Sequence, residues 1–137
     1  MYNFRDMINT LLITNNEDVS NKIKTILNDK QEMHSLEISS ISNLVEKNEI
    51  NCDIIIYHIG KNEVRPFQVL KVLSENAPVI VLVNGDKLKD KNKTSIKLIQ
   101  NGAKTILYDI KENVLVHSIE RIYDLEYYQE NNQEIKA

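Results

Sequence analysis

Residues 52–60 read Cys-Asp-Ile-Ile-Ile-Tyr-His-Ile-Gly, and this stretch decides the fold. Ile54-Ile55-Ile56-Tyr57 is a short, β-branched run with polar flanks, which fits a strand better than a helix. Its lack of alternation requires cover on both faces, the habit of a parallel sheet rather than of a sheet with one wet side. The signature recurs in Leu11-Leu12-Ile13, in Val79-Ile80-Val81-Leu82-Val83 and in Thr105-Ile106-Leu107-Tyr108. Ser35-Leu36-Glu37-Ile38 is a weaker fifth strand.

Helical spacing fills the intervals. Val19, Ile23, Ile26 and Leu27 follow Asp18 at i, i+4, i+7 and i+8, giving an apolar stripe behind an acidic first turn. Ile41, Leu44 and Val45 mark a second helix; Phe67, Leu70 and Leu73 mark a third after Pro66, a residue favoured in a first helical turn. Ile96 and Ile99 are the expected buried stripe of a fourth, before the Asn101-Gly102 stop signal. Val114, Leu115, Ile119, Ile122 and Leu125 carry the last. A β-α unit repeated five times requires right-handed crossovers and a sheet between helical layers. The expected fold is therefore α/β, a three-layer doubly wound (βα)5 domain of flavodoxin-like strand order 2-1-3-4-5.

Composition is consistent with one unit over residues 1–137. The chain has 42% hydrophobic and 27% charged residues, with three Gly and two Pro, too few to build an internal linker. A core of this size needs no disulfide or structural metal. Cys52 is the only cysteine, which suits a reducing cytoplasm, and is expected as a small buried hydrophobe. No apolar run could span a bilayer, and the opening MYNFRDMINT lacks a secretory core, so a cytoplasmic protein without membrane contact is expected. Seventeen Lys and Arg against 20 Asp and Glu argue against direct binding of nucleic acid.

In such sheets ligands bind at the carboxyl ends of the strands. Those ends carry Asn15, Asn16, Glu17 and Asp18 after the first strand, His58-Ile59-Gly60 after the third, Val83-Asn84-Gly85 after the fourth and Tyr108-Asp109-Ile110 after the fifth.

The phrases TLLITNNED, CDIIIYHIG, APVIVLVNG and QNGAKTILYDI, in this order and spacing over about residues 9–126, resemble the receiver domain of two-component response regulators. That resemblance implies a phosphorelay domain with an acceptor aspartate after the third strand and an acidic pair holding magnesium after the first. It also implies a hydroxyl residue ending the fourth strand and a lysine, then proline, ending the fifth. Carried across, the acidic pair falls on Asn15 and Asn16, the acceptor on His58, the hydroxyl on Val83, the lysine on Asp109 and the proline on Ile110; the fifth-strand aromatic falls on Ile106. Every one departs from the pattern. Neutral amides are poor ligands for a hard cation. His58 has no carboxylate to form an acyl phosphate, Val83 cannot donate a hydrogen bond, and Asp109 would repel a phosphoryl group. Asn15, Asn16, His58, Val83 and Asp109 are accordingly expected to form a degenerate phosphorylation pocket, with no metal, no cofactor and no catalytic residue.

His58 and Asp109 reverse the polarity of the family's Asp and Lys, which leads to the expectation that they hydrogen-bond and that Asp109 raises the histidine pKa. The plainer reading of His58 is a solvated histidine on a loop edge. His34 and His117 have no ligand-like spacing and are expected at the surface. Lys87, Lys89, Lys91, Lys93 and Lys97 read as a solvated face that could dock a protein. No phosphate loop, hydrolase triad or zincin motif points to an enzyme. Past Ile122 the pattern continues through Leu125 or Glu126 to Tyr128 or Gln129, and Tyr127-Tyr128-Gln129-Glu130 is helix-compatible, so the last helix could connect to an output domain or pair with its twin as a homodimer. The expected function is that of a pseudo-receiver: a signalling domain acting through a protein partner or an attached output domain. The alternatives are a phosphorelay receiver with unusual chemistry at His58 and a flavodoxin-like small-molecule binder.

Overall fold

Five apolar runs form the five strands of a single parallel sheet: β1 (Ile8–Ile13), β2 (His34–Ser39), β3 (Ile54–Ile59), β4 (Val79–Val83) and β5 (Ala103–Leu107). The computed structural model describes residues 7–46, 50–61, 63–83 and 91–128. Its strand order is β2-β1-β3-β4-β5, the flavodoxin-like order expected from the sequence. The helices are α1 (Glu17–Asn28), α2 (Ile41–Glu46), α3 (Pro66–Ser74), α4 (Lys91–Gln100) and α5 (Glu112–Tyr123), and α5 runs into a π-helical turn, Asp124–Tyr128. Asn84-Gly85, Lys87, Lys89 and the tail from Gln129 onward lie outside the described residues, as does the side chain of Val45.

Side-chain alternation along the buried strands builds two cores. Ile8, Leu12, Ile54, Ile56, Ile80 and Leu82 face α1 and α5, which contribute Ile23, Ile26, Leu27, Leu115, Ile119 and Ile122. Leu11, Ile13, Ile55, Tyr57, Val79 and Val81 face the other way, against Leu70 and Leu73 of α3 and Leu98 of α4, with Ile41 and Leu44 of α2 packed at the edge. Each fully buried Leu or Ile contributes about 1.5–3 kcal/mol of transfer free energy, so these two layers dominate the stability.

Four expectations need correction. In α4 the buried residue is Leu98, whereas Ile96 and Ile99 are 57% and 59% exposed. Three apolar residues over one turn left the face ambiguous; Lys97, which lies over the Phe67 ring, and Ser95, which meets Tyr108, orient the helix so that Leu98 points inward. Val114 and Leu125 likewise lie on the outer flank of the last helical segment. His34, expected at the surface, is buried. It starts β2 opposite Ile8, and its Nε2 pairs at 3.0 Å with a carboxylate oxygen of Glu120 on α5, a partner 86 residues away that no local pattern reveals. Cys52 is half-buried rather than fully buried, and packs against the second core. His117 is exposed, as expected.

The opposite ends of the sheet differ in how they are closed. At the amino ends of the strands, Asp53 exchanges backbone and side-chain hydrogen bonds with Asn9, and the Tyr127 hydroxyl donates to the Asp53 carbonyl at 3.3 Å. Lys104 and Glu126 add an exposed ion pair at 3.2 Å, and the Tyr123 and Tyr127 rings stack with centroids 4.7 Å apart. The π-helical turn is thus folded back onto this end of the sheet. Here too Gly102 adopts φ = 113°, and a Cβ at that position would come within 2.5 Å of the Ser74 Cβ, so only glycine fits between α3 and β5.

Candidate functional site

The carboxyl ends of β1, β3, β4 and β5 open into a cleft of about 540 Å³. Asn16, His58, Val83 and Asp109, which the sequence assigned to four different strand ends, all line it. The parallel register brings them together: Ile13 lies beside Tyr57 and Ile59 beside Val83, so residues one step further along neighbouring strands share one rim. Asn15 is exposed and does not line the cleft.

Asn16 has a structural duty. It is the N-cap of α1, its side-chain oxygen accepting the Val19 backbone N–H at 3.1 Å. Its own backbone N–H donates to the Thr14 hydroxyl oxygen at 3.0 Å.

Thr14 is the residue that sequence reading missed. It is buried at the end of β1, and its hydroxyl lies 2.8 Å from Nδ1 of His58. Thr14 Oγ1 accepts from the Asn16 backbone and also meets Nδ1, so the hydroxyl links the start of α1 to the imidazole. The direction of the Thr14–His58 bond is set by the imidazole tautomer: where the hydroxyl donates, the neutral ring keeps its proton on Nε2. The only available hint was a hydroxyl residue directly after an apolar strand, which becomes meaningful once the register sets 14 beside 58.

The expected bond between His58 and Asp109 gives way to this arrangement. Asp109 is exposed, and one of its carboxylate oxygens accepts the backbone N–H of Ile110 at 2.9 Å. The pKa of His58 is lowered from its ordinary value, not raised, because burial disfavours the charged imidazolium. A neutral histidine with one nitrogen committed to Thr14 is what the site presents.

The donor set does not fit a hard divalent cation. The two amides are neutral, the Asn16 oxygen is spent on its helix, and Nδ1 of His58 is occupied. No group of three His, Cys, Asp or Glu side chains is placed to hold a metal ion among the described residues. Of the exposed lysines expected to form a face on α4, Lys91 reaches the cleft and Lys97 covers Phe67. No described helix is long and apolar enough to cross a membrane.

No family model matches this sequence, and no curated relative does. Solved structures do match. A BeF3-activated DrrB receiver domain superimposes with a TM-score of 0.70 at 13% identity, over 87% of this chain and 99% of that one. The response regulator domain of Thermotoga maritima CheB gives 0.70 at 18% identity, over 87% and 98%. The signal receiver domain of a LuxO repressor protein from Vibrio parahaemolyticus gives 0.72 at 16% identity, over 91% and 96%. With the strand order and the rim geometry already established, the chain has the fold of response-regulator receiver domains.

Proposed function

We propose that this chain is a pseudo-receiver: a cytoplasmic signalling domain that carries no aspartyl phosphate and acts by contact with a protein partner or an attached output domain. The observation that carries this reading is the hydrogen-bonded chain Asn16–Thr14–His58 at the end of β1 and β3. Where receiver chemistry needs a carboxylate nucleophile beside an anionic metal site, this chain has a neutral imidazole tied to a threonine and an amide tied to a helix. Val83 and Asp109 complete the rim with an apolar group and a negative charge. These residues form the degenerate phosphorylation pocket, and Asn15, next to Asn16, stays outside its lining.

Signalling by contact is supported by what the helices leave uncovered. Ile96 and Ile99 on α4, Val114 on α5 and Leu125 beyond it are each 45% or more exposed, apolar side chains that a protein partner would cover. The last helices, including the π-helical turn, are the part proposed to pair in a homodimer.

Incubation with acetyl phosphate and magnesium, followed by intact-mass measurement, tests the reading. An unchanged mass is expected. A stable gain of one phosphoryl group overturns it, and loss of that gain in His58→Gln would transfer the function to a phosphohistidine relay.

A further inference from the structure

The cleft contains two cations that the strand ends do not explain. Lys22 comes from the second turn of α1 and Lys91 opens α4, so they reach the rim from opposite helical layers. Lys91 is pre-placed: its Nζ stands 5.1 Å from the centroid of the Tyr108 ring. That ring is itself held by α4, its hydroxyl meeting Ser95 Oγ and donating to the Lys91 carbonyl. His58 lines the same cleft, and in the tautomer whose Nδ1 accepts from Thr14 it offers Nε2–H as a third donor. Against two ammonium groups there is one carboxylate among the described lining residues, Asp109. The lining also includes the apolar residues Val19, Leu82, Val83, Leu107 and Ile110.

From this arrangement we infer that the cleft binds a small organic phosphate monoester without forming a covalent bond. The phosphate dianion sits between Lys22, Lys91 and Nε2–H of His58, and the organic group rests against the apolar side chains of the lining. A doubly charged, tetrahedral anion can bridge cations arriving from two layers and still outweigh Asp109, whereas a monocarboxylate brings half the charge to the same repulsion. The organic portion follows from size, since about 540 Å³ lies within the roughly 300–1,000 Å³ of small-molecule sites and far exceeds a bare phosphate ion. The inference rests on the pseudo-receiver reading, because a phosphoryl group attached to His58 would occupy this space.

Phenyl phosphate is the probe, added to the full chain near pH 7.5, where a monoester is about doubly charged. Amide NMR is expected to show saturable shifts at residues around the cleft, with a dissociation constant of about 0.1–1 mM. The double variant Lys22→Gln/Lys91→Gln, altered only at exposed positions, should weaken binding at least about tenfold, as should raised salt in part. Inorganic phosphate and benzoate should each bind more weakly than phenyl phosphate. The absence of saturation, equal affinity in the double variant, or benzoate binding as tightly overturns the inference. Intact mass after the titration separates the two levels: no binding with unchanged mass sinks the ligand site alone, whereas a covalent mass gain sinks the pseudo-receiver reading with it.

Discussion

The two ends of the sheet solve the same problem differently. At the amino ends of the strands, polar groups find distant partners: His34 meets Glu120, Asn9 meets Asp53, and Tyr127 reaches back to Asp53. At the carboxyl ends, Asn16 caps its own helix and Asp109 accepts from the next residue, while Thr14 with His58 and Tyr108 with α4 reach further along the chain. Bonds that join distant parts of the chain hold the fold together; groups satisfied locally leave their outer surfaces available to a ligand or partner. The difference separates a structural end from a functional end.

The sharpest way to break the comparison is at the structural end. Gly102→Ala forces a side chain into positive φ and into Ser74, and is expected to cost about 2–4 kcal/mol, read as a lower denaturation midpoint. His34→Ala should follow at about 2 kcal/mol, since it empties a buried site and removes the bond from Nε2 to Glu120. Both should leave the amide resonances around the cleft close to their native positions.

At the functional end the effects should be smaller and should appear in the titration of His58. Thr14→Val removes the partner of Nδ1 and is expected to cost about 1 kcal/mol, with a changed NMR tautomer pattern of the imidazole. Because the folded pKa of His58 is lowered, the unfolded chain binds its proton more readily. This histidine therefore costs no stability above its unfolded value of about 6.5, and stability falls as pH drops below it. Denaturation midpoints measured across that window should decline less in His58→Gln. A parent midpoint that rises on acidification would contradict the burial argument. The smallest effect is assigned to Asp109→Asn: stability within about 0.5 kcal/mol of the parent, and a His58 titration little moved. A large change would restore the direct pairing that the geometry replaces with Thr14.

The sheet was legible because Ile54–Tyr57 and Val79–Val83 are apolar without alternation, which only cover on both sides accommodates. The rim was legible as positions, since topology alone gathers Asn16, His58, Val83 and Asp109. What escaped depends on register and on helix rotation, neither of which is a local property. Thr14 acquires its role from a strand 44 residues away, His34 from a helix 86 residues away. Lys91 reads as part of a solvated face and Lys22 carries no signal of its own until two helical layers bring them to one cleft. The stripe of α4 failed for the same reason, because Ile96, Leu98 and Ile99 are equally apolar and only tertiary contacts choose among them.

Cys52 precedes β3 at the structural end, half-buried, and burial together with nearby Asp53 and Glu37 pushes its thiol up to about 11 from 9.0. Two units mean roughly a hundredfold less thiolate at neutral pH than for an unperturbed group, so alkylation of the native protein should be slow. With a single sulfhydryl in the chain, its alkylation rate reports on the place where the π-helical turn is moored, and a ligand that changes that rate from the far cleft would reveal communication along the whole length of the strands.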